Sequence, residues 1–217
     1  MKKYKLTDET IEYNCVTLYR IEALRNFGSI KTGDKGGFVQ SYHNLSQEGD
    51  CWIHGEAKVF GNAKVYENAQ VFGSAEVCGY ASVKGDAFVF GRAKVYGWAF
   101  VFGKAQVFGD AKVYGNAFVH GDAEVYDKAE VFGVASVYGN AFVKGDAIIK
   151  TGRDYIVFKN WWSSDRYFTW TRSNNMWNVG CFYGTGKELI KEAYADSEDS
   201  GKEYERVVRY VESILAD

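Results

Sequence analysis

The sequence reads Ala111-Lys112-Val113-Tyr114-Gly115-Asn116 and then Ala117-Phe118-Val119-His120-Gly121-Asp122, which is one six-residue pattern written twice. The pattern runs without insertion from residue 51 to residue 152, as seventeen consecutive hexads. The first place is Ala in sixteen hexads, the third is Val or Ile in all seventeen, and the fifth is Gly in fourteen. Such a regular internal repeat predicts a solenoid.

Each hexad has the composition of one short strand followed by one tight corner. Places one and three lie on the same side of an extended strand, so Ala and Val point inward together. A small residue beside a β-branched residue fills a narrow core without voids. Gly at place five, often followed by Asn or Asp, tolerates the positive φ of a corner. Three hexads close one triangular coil, so seventeen hexads predict between five and six coils.

Residues 1–50 lack the repeat and predict a β-rich N-terminal cap. Thr10–Tyr13 and Val16–Ile21 alternate between apolar and polar residues, and Asn14 between them predicts a hairpin turn. The open end of a solenoid exposes a strand edge and an apolar core, and a capping segment covers both.

Residues 153–217 predict a small α+β unit. Tyr155–Phe158, Tyr167–Arg172 and Met176–Phe182 are expected to form three strands. Two helices are expected to follow, each opened by a capping box, and the second carries an apolar stripe. The boxes are Thr185 with Glu188 and Ser200 with Glu203, and the stripe consists of Tyr204, Val207, Val208, Val211, Ile214 and Leu215. The predicted domains are therefore 1–50, 51–152 and 153–217.

Composition argues against several classes of function. The formal net charge is -2, with 26 basic and 28 acidic residues interspersed, so nucleic acid is not an expected partner. No apolar run reaches the length of a membrane helix. The four cysteines have no metal-ligand spacing, which predicts reduced thiols in a cytoplasmic protein, with no metal and no cofactor.

Several segments resemble the YdcK-type hexapeptide-repeat proteins, which are often encoded by bacteria and their phages. The segments are Tyr4–Thr10, Gly36–Val39, Asn44–Gly49 and the Ala-x-Val-x-Gly-Asn run, and the tail around Gly180–Thr185 is similar to C-terminal domains of phage-encoded members. The resemblance implies a left-handed parallel β-helix in a mainly β protein. This group has no agreed activity, so no catalytic residue carries over.

Many hexapeptide β-helix enzymes are acyltransferases with a CoA-type donor and a histidine general base. Here the repeat places His54 and His120 more than three coils apart, and no loop interrupts the coils to build a site. His120 is therefore expected to be an exposed residue in an aromatic column. Cys181 is expected to be a buried strand cysteine, and Gly184–Lys187 a helix cap. No catalytic residue is predicted.

Outward aromatic residues are the most informative feature. Place four is Phe or Tyr in eleven hexads and is expected to be exposed because side chains alternate along a strand. Sorting the hexads by side gives two candidate patches for protein binding, and Trp161 and Trp162 suggest another surface in the tail. The patches are Phe88, Phe90 and Phe108 on the first side, and Phe100, Phe102, Phe118 and His120 on the third.

The expected function is non-catalytic protein binding by a homo-oligomer, a dimer or trimer, in the bacterial host cell. One concrete form is a phage-encoded inhibitor of a host defence protein, such as a CRISPR nuclease complex. Stacked aromatic columns that only stabilise the ladder are the structural alternative. A CoA-dependent acyltransferase and a sponge for a small nucleotide signal stay open as functional alternatives.

Overall fold

A computed structural model describes residues 2–160 and 164–215 and divides the chain into two compact units, Met1–Gly152 and Arg153–Asp217. The first unit is a left-handed parallel β-helix of about six turns, preceded by a β-hairpin. The second unit is a four-stranded antiparallel sheet with two helices.

The N-terminal hairpin consists of β1 (Tyr4–Tyr13) and β2 (Val16–Ala23). Asn14 and Cys15 form its two-residue turn, with φ of 50° and 61°. Strand β3 (Lys35–Val39) pairs antiparallel with β2 and parallel with the first strand of the coil's second side. The hairpin and that side therefore form one continuous nine-stranded sheet.

Seventeen two-residue strands form the three sides of the coil, one strand in each hexad. The first side contains β4 (Trp52–Ile53), β7 (Gln70–Val71), β10 (Phe88–Val89), β13 (Gln106–Val107), β16 (Glu124–Val125) and β19 (Phe142–Val143). The second contains β5 (Lys58–Val59), β8 (Glu76–Val77), β11 (Lys94–Val95), β14 (Lys112–Val113), β17 (Glu130–Val131) and β20 (Ile148–Ile149). The third contains β6 (Lys64–Val65), β9 (Ser82–Val83), β12 (Phe100–Val101), β15 (Phe118–Val119) and β18 (Ser136–Val137).

The predicted inward places form the core. The first-place and third-place residues of every hexad are fully buried, as at Ala111 and Val113. Backbone hydrogen bonds join each coil to the next, for example from Lys112 N to Ala129 O over 2.9 Å. The coils thus stack in one register, which places equivalent hexad positions above one another.

Glycine corners allow the coils to approach closely. Gly97 has φ of 70°, and a Cβ there would lie 2.9 Å from Gly115 N in the next coil. Glu67 and Asp127 replace glycine at place five with φ of 60° and 59°. The Glu67 carboxylate accepts a hydrogen bond from Gly85 N in the next coil, at 2.9 Å, which offsets part of the backbone strain.

The sheet of the second unit has four strands where three were predicted. They are β21 (Tyr155–Asn160), β22 (Arg166–Thr171), β23 (Met176–Val179) and β24 (Phe182–Gly184). The predicted third strand is broken because Gly180 adopts φ of 58° and starts a turn. Cys181 lies in that turn and is exposed, so the prediction of a buried strand cysteine was wrong.

The two helices are α1 (Gly186–Asp196) and α2 (Glu198–Leu215). The capping box of Thr185 and Glu188 is present at α1, as predicted. The box predicted at Ser200 was wrong, because α2 begins at Glu198 and the Ser197 hydroxyl accepts the hydrogen bond from Ser200 N.

The core of the second unit lies between the sheet and the helices, and the end of the predicted apolar stripe does not join it. The buried core consists of Phe168, Trp170, Trp177, Val179, Leu189, Ala193, Tyr204, Val208 and Val211. Ile214 and Leu215, in the last turn of α2, are exposed. Within the described residues, no helix is both long and apolar enough to cross a membrane.

The corner geometry leads to a stability prediction. We expect Gly97→Ala to destabilise the protein by about 2 to 4 kcal/mol, because it adds left-handed strain and a clash with the next coil. Gly139→Ala is the matched control, because Gly139 has φ of 67° but, among the described residues other than its chain neighbours, no heavy atom lies within 4 Å of the point that a Cβ would occupy. The control should cost only about 1 kcal/mol. Urea unfolding followed by circular dichroism measures both, and equal losses would contradict the role assigned to coil contact.

Candidate functional site

Aromatic side chains at place four stack into columns along each side of the coil. Consecutive ring centroids in these columns lie 4.7–5.5 Å apart, with nearly parallel planes. The columns are Phe90, Phe108 and Tyr126 on the first side, Tyr96, Tyr114 and Phe132 on the second, and Phe102, His120 and Tyr138 on the third. Stacking covers the ring faces, so most place-four residues are half-buried and not exposed as predicted.

Charged residues accompany the column on the second side. Lys112 pairs with Glu130 at 2.8 Å, and Tyr114 donates a hydrogen bond to the same carboxylate at 2.9 Å. Burial and the neighbouring Glu130 charge raise the pKa of Tyr114 to about 12. The Tyr13 ring from the hairpin covers Phe60 in an edge contact at 5.7 Å. On the second side, therefore, the charged and polar groups pair with one another.

The column on the first side is interrupted at Phe72. That ring stacks on His54 at 4.3 Å and on Phe88 at 6.0 Å, and not on Phe90. An apolar cavity of about 340 Å³ opens there, lined by Phe72, Phe88, Phe90 and Gln106. The predicted first-side residues Phe88 and Phe90 therefore line a small cavity, and Phe108 continues the stack above it.

The third side carries aromatic residues at its outward places from the third coil onward, and lysines below them. Lys84 Nζ lies over the Phe102 ring, 5.9 Å from its centroid. Phe100 and Phe118 are paired in adjacent coils, with ring centroids 5.3 Å apart. The places directly below and above them are occupied by Ser82 and Ser136. The column of Phe102, His120 and Tyr138 runs beside this pair. The structure thus brings together the four third-side residues that the sequence predicted.

An exposed aromatic pair that the sequence patterns did not predict borders the third side. Tyr80 and Trp98 occupy place six at the corner before it, and their rings stack at 4.1 Å with planes 4° apart. The sequence did contain a signal for this pair, because place six of the other hexads holds mainly Asn, Asp or charged residues. Relative exposures are 49% for Tyr80, 56% for Trp98, 40% for Phe118 and 52% for Tyr138. We name the group of Tyr80, Trp98, Phe100, Phe102, Phe118, His120 and Tyr138 the aromatic face.

A groove of about 600 Å³ lies at the start of the third side. Tyr42, Lys64, Tyr66 and Ser82 contribute to its lining, and no lining residue carries a carboxylate. The Tyr42 ring is fixed by a contact with Tyr4 at 5.7 Å. The groove therefore combines aromatic walls with a positively charged side chain.

The histidines of the coil have polar but uncharged neighbours. His54 Nε2 lies 2.8 Å from Gln70 Oε1, and His120 Nε2 lies 3.3 Å from Ser136 Oγ. Burial lowers the pKa of both imidazoles, and the Gln70 contact opposes this at His54. Neither contact resembles the carboxylate-oriented histidine of a general base. Within the described residues, no cluster of His, Cys, Asp or Glu could hold a metal ion.

The surface predicted in the tail stays a prediction. Trp161 and Trp162 lie outside the described residues. Trp170 and Trp177 are buried in the core of the second unit, where they pack against its helices.

Comparison with known proteins gives no family for this chain. No protein-family model matches it, and no curated protein matches it.

The burial of His120 predicts a pH dependence of stability. Because burial lowers the folded-state pKa of His120, the unfolded chain binds the proton more readily, and stability falls as the pH drops below the ordinary value of 6.5. We expect His120→Phe to lose less of its unfolding temperature than wild type between about pH 7.5 and about pH 5. His43→Phe, in an exposed loop, is the control and should follow wild type. A decline in His120→Phe as steep as that of wild type would disprove this coupling.

Proposed function

We propose that the chain is a non-catalytic binding protein that recognises a protein partner through the aromatic face. The observation that carries the proposal is the exposure of Trp98, Tyr80, Phe118 and Tyr138 on one continuous part of a rigid coil. Each of these four rings stacks on a neighbour and still keeps 40–56% of its surface exposed, so stacking leaves apolar area that a partner can cover. Contiguous exposed apolar surface of this kind is typical of interaction sites.

The chemistry of the face suits protein recognition. Trp and Tyr are the residues most enriched in the energetic centres of protein interfaces. The coil fixes their positions through buried alanine and valine ladders, so little conformational entropy is lost on binding. Serine neighbours such as Ser82 and Ser136 can contribute hydrogen bonds at the edge of a contact.

The resemblance to YdcK-type proteins of bacteria and phages supplies the proposed setting, the cytoplasm of a bacterial host cell. In that setting the partner is a host defence protein, and a CRISPR nuclease complex is one such target. We also propose that the chain forms a homo-oligomer, a dimer or a trimer, because a second copy can cover an aromatic surface. The acyltransferase alternative has less support, because Gln70 and Ser136 are the hydrogen-bond partners of the coil histidines.

The proposal predicts that charge placed in the aromatic face abolishes capture of the partner. Trp98→Lys with Phe118→Lys should lower affinity at least about 30-fold, the effect of losing an interface centre of about 2 kcal/mol. Pull-down from bacterial lysate followed by titration with the purified partner measures this. Tyr210→Lys is the matched control, because Tyr210 is exposed on α2 in the other unit.

Light scattering on the same proteins shows whether a different protein or a second copy of this chain covers the aromatic face. Retained folding with lost capture, while the Tyr210→Lys control still binds, supports the proposal. Undiminished capture by the double variant would refute it. Conversion of a wild-type oligomer into monomers by the double variant, without any captured protein, would identify the face as a contact between copies.

The groove at the start of the third side favours a second candidate, binding of a small nucleotide. Tyr42 and Tyr66 offer faces for a base, and Lys64 offers a cation for a phosphate. The volume of about 600 Å³ lies within the range of small-molecule sites.

This candidate predicts that AMP binds more tightly than adenosine or inorganic phosphate in isothermal titration calorimetry. Lys64→Gln should weaken AMP binding about tenfold, the loss of one charge-assisted contact. Lys128→Gln makes the same charge change at an exposed corner and should leave binding intact. Absence of AMP binding at millimolar concentration, or equal affinity in both variants, would exclude the groove as a nucleotide site.

A further inference from the structure

Cys51 is the exception at the most regular place of the repeat. The other sixteen hexads have Ala at place one, and only the first hexad has a thiol there. The residue is fully buried, like the alanines above it. Because Ala fills this place everywhere else in the coil, packing alone does not call for a sulfur atom.

A buried amine points at this thiol. Lys3, just before β1, has no exposed surface, and its Nζ lies 3.2 Å from Cys51 Sγ. The same nitrogen donates to the backbone oxygens of Cys51 at 3.0 Å, Glu48 at 3.2 Å and Gly49 at 3.3 Å. The Phe27 ring closes the site, with its centroid 5.1 Å from Nζ. These contacts hold nitrogen and sulfur against each other in a buried pocket.

We propose that Lys3 and Cys51 form an oxidative modification site, in which a peroxide converts the pair into a covalent Nζ–Sγ sulfenamide. The inference concerns a site in the N-terminal cap and does not depend on the aromatic face.

The reaction takes place in two balanced steps. Hydrogen peroxide transfers one oxygen to Cys51 Sγ, its O–O bond breaks, and the thiol becomes a sulfenic acid with release of one water. The Lys3 nitrogen lone pair then attacks the sulfur, the S–O bond breaks, and the hydroxide leaves as water with a proton from the amine. Two external thiols reverse the link by reducing it to the free amine and thiol, and they become a disulfide.

The environment supports the second step and slows the first. Burial lowers the pKa of Lys3, which increases the share of neutral amine that can attack sulfur. Burial also raises the pKa of Cys51, so its oxidation lags behind that of the exposed Cys15 and Cys181. Peroxide reaches Cys51 when the packing around the Lys3 side chain opens locally.

The link would close the chain from residue 3 to residue 51 and tie the hairpin to the first coil. A covalent closure of this length restricts the unfolded chain as a disulfide does, so oxidation is expected to stabilise the first unit. The cap would then respond to oxidising conditions.

The test uses the full chain with Cys15→Ser, Cys78→Ser and Cys181→Ser, which leaves Cys51 as the one thiol and removes intramolecular disulfides. The protein is treated with hydrogen peroxide, then analysed by intact mass and by tryptic peptide mapping. We expect a loss of about 2 Da, reversed by dithiothreitol, and a peptide in which Lys3 is joined to Cys51. The unfolding temperature should rise on oxidation and return on reduction.

Two variants act as controls in this background. Cys51→Ala restores the residue of the other hexads, so it should fold, and its mass and unfolding temperature should not change with peroxide. Lys3→Met removes the amine and should give only oxygen addition at Cys51. Oxygen addition at Cys51 without any link to Lys3 in the parent protein, or no change at Cys51 under conditions that oxidise an exposed thiol peptide, would overturn the proposal.

Discussion

The close approach of successive coils is the constraint on which the structure of the first unit depends. Backbone N–H and C=O groups of each coil bond to those of the next, so the coils stand at strand spacing along their whole path. At most corners that spacing is kept by a glycine whose backbone is left-handed and which carries no side chain, as at Gly97. Where Glu67 takes the place of glycine, its carboxylate bonds to the amide of the next coil and compensates for part of the strain.

Stacking in one register has opposite consequences inside and outside the coil. Inside, it repeats the same pair of Ala and Val, which fills a core of constant width. Outside, it places equivalent residues above one another, so the residue types at a few outward places decide whether a side is charged or apolar. Lys112 and Glu130 turn the second side into a paired, water-compatible surface, whereas Phe100 and Phe118 make the part of the third side beyond Lys84 apolar. The three sides share a scaffold and differ in what they can bind.

The beginning of the coil depends on contacts of another kind. A solenoid has no partner coil at its first turn, and here β3, which pairs with the hairpin, supplies the missing strand pairing on the second side. Lys3 donates to three carbonyl groups there that have no coil below them, those of Glu48, Gly49 and Cys51. The cost of burying this amine is offset by its several acceptors. A residue that serves as structural cap therefore also stands beside the one thiol of the alanine ladder.

The repeat was enough to predict the coil, its three sides and its inward residues, because a period of six with Ala, Val and Gly sets which residues point inward and where the corners lie. The left hand of the coil was expected only from the resemblance to YdcK-type proteins. It also placed Phe100, Phe102, Phe118 and His120 on one side, since side chains at a fixed period must stack. Which rings stay exposed became visible only in the folded chain, because stacking, the Tyr13 contact and ion pairs depend on neighbours far apart in sequence. Three further features became visible only in the folded chain: the stacking of Tyr80 on Trp98, the turn at Gly180, and the contact between Lys3 and Cys51. The turn comes from a local backbone choice and the Lys3 contact from the meeting of distant segments, whereas Tyr80 and Trp98 stand out at place six of the repeat and only their exposure needed the fold.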